Sequence, residues 1–113
     1  MTEILSPGYT AFKDAHSGAT TAKTPLLINS ILVIPLNDAD ADEDNVFVYE
    51  CPRVKVDKAG SQAWTPLTKI YWDDTAKNFT TTSTDNTLAG VVAEDAASAD
   101  TEGEIHLTPF VNA

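Results

Sequence analysis

Lys69-Ile70-Tyr71-Trp72-Asp73-Asp74-Thr75-Ala76-Lys77-Asn78-Phe79-Thr80-Thr81-Thr82 is the stretch from which the fold can be read. An apolar and aromatic run, Leu67 to Trp72, meets a second, Asn78 to Thr82, across five residues that open with two aspartates. The pattern predicts a β-hairpin in which Trp72 is the anchor and Asp73 opens the turn through its side chain, with Tyr71, Trp72 and Phe79 packing across the strands. Outward from it lie Leu26 to Ile34, Val46 to Cys51 and Arg53 to Val56 on one side, and Leu88 to Ala93 and Glu104 to Phe110 on the other. In Arg53-Val54-Lys55-Val56 the alternation puts the two valines on one face and the two cations on the opposite one, as a half-wet strand requires. Gly90 would permit a bulge or a close approach in its strand. Glu94 to Ala99 has room for one helical turn, but no long amphipathic helix pattern separates the strand-sized runs. The expected fold is therefore all-β, a small antiparallel β-barrel or β-sandwich, with residues 25–113 as a single β domain.

Residues 1–24 have a different texture. Serine, threonine, glycine and proline are scattered among apolar positions with no sustained period of 3.6 or 2.0. This reads as an extended N-terminal arm, either a frayed terminus or a segment that orders by lying on a partner.

Composition narrows the function. The chain has 113 residues, with 17 Asp and Glu against 7 Lys and Arg, for a formal net charge of -10. So acidic a surface is a poor match to phosphate, because nucleic-acid affinity rests on neutralising backbone charge. Nucleic acid is not an expected partner. Neither is a membrane: the most apolar stretch, Leu26 to Leu36, is 11 residues long and is interrupted by Asn29, Ser30 and Pro35, where a span needs about 20. The start, Met1 to Pro7, lacks the basic and apolar regions of a secretory signal. Cys51 is the single cysteine and reads as a small buried hydrophobe. Fifteen threonines and fifteen alanines leave few large side chains, so a thin core is expected, and association would relieve that weakness.

The residues that carry chemistry elsewhere do not assemble into a known pattern here. Asp38-Ala39-Asp40-Ala41-Asp42-Glu43-Asp44 imitates the opening of a calcium loop, but Glu43 stands where glycine is needed and Tyr49 where a bidentate glutamate is needed. It reads as a solvated acidic loop held extended by repulsion. His16 and His106 are the two histidines; the alternation of His106 with Ile105 and Leu107 turns it away from their face, toward the surface. There is no nucleophile elbow, zinc motif or phosphate-binding glycine loop. No catalytic residue, no cofactor and no metal site is expected. Trp64, Tyr71 and Trp72 suggest a second possibility, a sugar-stacking platform in a carbohydrate- or receptor-binding β module, against which stands their packing within the hairpin.

The quoted stretch, Lys69 to Thr82, resembles the "v-Y-W-D-x-x-a-g-k-v-T-t-t" segment of a family of small tailed-phage head proteins. Asn86-Thr87-Leu88-Ala89-Gly90-Val91-Val92-Ala93-Glu94-Asp95-Ala96-Ala97 continues in register with that family's "n-x-x-i-G-v-a-l-e-a-a", and Glu104-Ile105-His106-Leu107 is similar to its closing strand. The match covers roughly residues 30–108, and upstream of Leu67 the chain has Trp64-Thr65-Pro66 where the family often has glycine. Many members carry a RecA/RadA-type recombinase label, yet several are understood as capsid decoration, or cement, proteins. The resemblance implies a non-enzymatic virion protein, made in the bacterial host cytoplasm, that binds the capsid exterior and stabilises the major capsid protein lattice. A homo-oligomer is expected, a trimer in preference to a dimer, and the physical chemistry of Tyr71, Trp72, Asp73 and Gly90 gives them a scaffold role. The N-terminal arm, with Thr2, Leu5, Tyr9 and Phe12, together with nearby loops, is the expected capsid contact.

Overall fold

The computed structural model describes residues 2–5 and 8–109, and over these the chain is an all-β, antiparallel sheet curled into a half-barrel. Nine strands are present among the described residues: β1 (Glu3–Ile4), β2 (Thr10–Ala15), β3 (Leu26–Ile28), β4 (Ile31–Pro35), β5 (Asp44–Asp57), β6 (Lys69–Asp73), β7 (Asn78–Thr80), β8 (Thr87–Val92) and β9 (Glu102–Leu107). The order in the sheet is β3-β4-β5-β9-β8-β6-β7, with β1 and β2 also paired to β5. The curl brings β7 back to the end of β5, where Lys58 and Phe79 form an isolated parallel bridge and Ala59 N–H donates to Phe79 O at 2.8 Å.

β5 organises the whole. At about 3.3 Å per residue its 14 residues would span about 45 Å if straight, more than the longest 39 Å dimension of the molecule. It bends at a register shift between Cys51 and Val54, and Pro52, which has no N–H to give, sits in that irregularity. The two runs expected at Val46 to Cys51 and Arg53 to Val56 are thus one strand, because a bulge absorbs the proline that marks a break in the sequence. Val54 and Val56 are fully buried, while Arg53 is exposed and Lys55 half-buried.

The single run expected at Leu26 to Ile34 is instead a hairpin. Asn29 and Ser30 both adopt positive φ, 50° and 67°, and reverse the chain in two residues between β3 and β4. Glu94 to Ala99 forms no helical turn; Ala96 exchanges both backbone hydrogen bonds with Trp64 at 2.9 and 3.1 Å. The last run spans Glu102–Leu107, and Phe110, its expected end, lies outside the described residues. The stretch expected as an arm carries β1 and β2, paired along one edge of β5 from Glu3↔Lys55 to Ala15↔Asp44.

The acidic loop also differs from expectation. It turns back on itself because two of its carboxylates are occupied by backbone N–H groups: Asp38 Oδ1 accepts from Ala22 at 2.7 Å and Glu43 Oε1 from Asp40 at 2.7 Å. Beneath it the buried Asn45 donates to Thr20 Oγ1 and Asn37 O.

The main core fills the inside of the curl with Leu32, Ile34, Val48, Val54, Val56, Trp64, Ile70, Trp72, Phe79, Val92, Ile105 and Leu107. Both indoles are in it. The large side chains it does have, both indoles and Phe79 among them, pack into one continuous cluster.

Candidate functional site

The hairpin residues singled out in the sequence come together at one end of the sheet. Trp72 pairs with Phe79 across β6 and β7, their rings 5.0 Å apart at 58°. Asp73 Oδ1 accepts from Thr75 and Ala76 N–H at 2.9 and 3.0 Å, which closes the turn. Asp74 Oδ1 accepts from Trp72 Nε1 and from Lys77 Nζ, both at 3.0 Å. The Trp72 bond first, and the lysine second, hold the Asp74 carboxyl below its ordinary value. Gly90 lies where β6, β8 and β9 meet, opposite Ile70 and Leu107. A Cβ there would stand 2.0 Å from His106 O, so the close approach admits only glycine.

The two indoles and Phe79 are enclosed, while Tyr71 and Asp73 are half-buried. Trp64 and Trp72 are 1% and 2% exposed and Phe79 is buried, so no indole face is available for a sugar to stack on. Trp64 lies over Gly103, its Nε1 donating to Gln62 Oε1 at 3.1 Å and the Lys58 ammonium 5.8 Å from its ring. His106 is half-buried between the fully buried Ile105 and Leu107, and His16 stands against Phe47 at the other end. Among the described residues no three His, Cys, Asp or Glu side chains are grouped to hold a metal ion.

What the fold does offer is a second apolar face. Period-2 alternation divides the β2-β5-β4-β3 sheet: Ala11, Leu27, Leu32, Ile34 and Val48 turn into the main core. Phe12, Ile28, Ile31, Val33, Phe47 and Tyr49 turn to the opposite side. There Phe47 is wholly buried, with Phe12 at 5.5 Å, while Phe12 and Tyr49 approach to 5.8 Å. Phe12, Ile28, Ile31, Val33, Tyr49 and Pro109 line an open groove of about 700 Å³. Sequence reading missed this face because the Asn29-Ser30 turn, which folds one run into two strands, carries no glycine. The four expected contact residues are placed differently from one another. Phe12 is in the groove, Leu5 and Tyr9 stand beside β5 at 42% and 40% exposure, and Thr2 is buried.

The charged surface is organised on the opposite edge of β5 from β1. Arg53 is held by Glu94 and Glu104, with Nε donating to Glu104 Oε1 at 2.9 Å and a terminal nitrogen to Glu94 Oε2 at 2.7 Å, and these contacts raise its pKa further. Such exposed pairs steer and orient more than they stabilise.

A family model described as phage cement protein matches residues 9–107 of the chain. No curated protein and no solved structure matches it significantly.

Proposed function

Because the chain belongs to the phage cement protein family, we propose that it is a decoration protein that binds the outside of the assembled phage head and ties neighbouring major capsid subunits together. The family match carries this reading: it takes in every strand from β2 to β9 and leaves out only the two-residue β1. Proteins of this family are structural. The action is one of mass action and needs no chemical step. A protein that binds the expanded shell and not its dissociated subunits shifts the balance toward the shell.

The exposed Leu5 and Tyr9 and the apolar groove beside Phe12 supply the capsid-facing contacts, in an interface of about 800 Å² per partner. Copies carrying a net charge of -10 repel one another. The homo-oligomer, a trimer in preference to a dimer, therefore closes on the head surface, where several weak contacts act together. Synthesis is in the bacterial host cytoplasm and the working location is the capsid exterior.

Co-sedimentation of the purified protein with expanded heads tests this. Removing residues 1–24 would strip β5 of β1 and β2 and uncover Phe47, so point changes are the cleaner probe. The double variant Leu5→Ser, Tyr9→Ser should fold normally and bind heads about tenfold more weakly, about 1.4 kcal/mol. Wild-type protein that stays in the supernatant, or is absent from purified virions, would remove the proposal.

A further inference from the structure

One turn among the described residues, Thr65-Pro66-Leu67-Thr68, combines a strained backbone with an exposed apolar residue. Thr68 N–H donates to Thr65 O at 3.2 Å, Pro66 takes the second position, and Leu67 takes the third with φ of 69°. A turn of this kind calls for glycine or asparagine at that third position, since a side chain there crowds the backbone. Eight described non-glycine residues have positive φ, and the other seven are Lys23, Asn29, Ser30, Asp42, Ser61, Lys77 and Asp85, all polar. Leu67 is the apolar exception. The residue is also 79% exposed, the most exposed large hydrophobic among the described residues. The fold draws nothing from a leucine here: glycine would suit the backbone and a polar residue would suit the solvent.

The turn is nevertheless rigidly built. Leu67 N–H donates to Val92 O at 2.8 Å, Val92 N–H donates to Thr68 O at 2.8 Å, and the hydroxyls of Thr65 and Thr68 are 2.9 Å apart. An apolar side chain held out on a pre-organised backbone loses little freedom when it is buried by another protein. Building on the cement reading above, we infer that Leu67 is an anchor residue that inserts into a shallow apolar pocket of the capsid lattice protein. Repulsion between copies of net charge -10 favours the lattice protein over a second copy as the owner of that pocket.

Two substitutions test it, with thermal melting and co-sedimentation with expanded heads read on the same samples. Leu67→Gly relieves the backbone and removes the anchor; it should melt about 3 °C higher and bind about tenfold more weakly. Leu67→Ala removes the anchor and keeps the positive φ; it should bind as weakly as the glycine variant without the gain in melting temperature. If wild-type protein binds heads and both variants bind equally well, the anchor is overturned and the cement reading stands. If wild-type protein itself fails to bind, the cement reading falls and the anchor with it. Loss of cross-links between head-bound copies, with head binding unaltered, assigns the leucine to a contact between copies and overturns the proposal.

Discussion

Gly90 and Gly103 are placed for the side chain they lack, since no described glycine has positive φ. A Cβ at Gly103 would stand 2.5 Å from the Trp64 ring, which can shift, whereas at Gly90 the obstacle is the backbone carbonyl of His106 at 2.0 Å. Gly90→Ala therefore requires β8 and β9 to separate, and a loss of about 3 kcal/mol is expected in urea unfolding. Gly103→Ala should cost about 1–2 kcal/mol, because an indole can yield where a strand cannot. Gly90 stands out in the sequence as a glycine inside a strand. Gly103 does not, because its partner Trp64 is far from it in the chain and nothing local links them.

At the scale of the element, the β6–β7 hairpin can be read residue by residue because its interactions are local. Trp72, Asp73, Asp74 and Lys77 meet within six positions, and their side chains satisfy one another and the turn. Asp74→Ala would leave Trp72 Nε1 without its acceptor and should cost about 1 kcal/mol. The pH dependence has a definite sign. The folded state holds Asp74 below its ordinary value of 3.8, so its contribution is present above that value and is lost as pH falls through it toward the folded value. The stability difference between wild type and Asp74→Asn, measured by thermal melting, should narrow from about pH 7 to about pH 3. β5 is the opposite case. Its continuity through Pro52 depends on β9 shifting register beside it, which a single strand's sequence does not display.

The radius of gyration of 13.3 Å is what a compact domain of this length has, about 13.3 Å by chain-length scaling. The scarcity of large side chains is offset by their concentration inside the curl. The free protein is thus expected to melt as a folded unit before it meets a head, and binding should add to that stability. With accessible sites at 100 times the dissociation constant the gain is about 2.7 kcal/mol, or about 10 °C for a chain this size. Calorimetry of the protein with and without excess heads measures it, and an unmoved transition would mean that binding does not favour the folded form.

The sequence by itself determined the strand class, the Trp72 hairpin, the valine face of β5 and the resemblance to cement proteins, because each rests on residues a few positions apart. Period, turn chemistry and short motifs are local quantities. Only the tertiary structure decided that β1 and β2 line the edge of β5, that β3 and β4 form a hairpin, that one face of their sheet forms a groove, and that Leu67 stands exposed on a left-handed backbone. Those outcomes depend on which strands pair across long separations in the chain, and pairing is settled by the packing energy of the whole core.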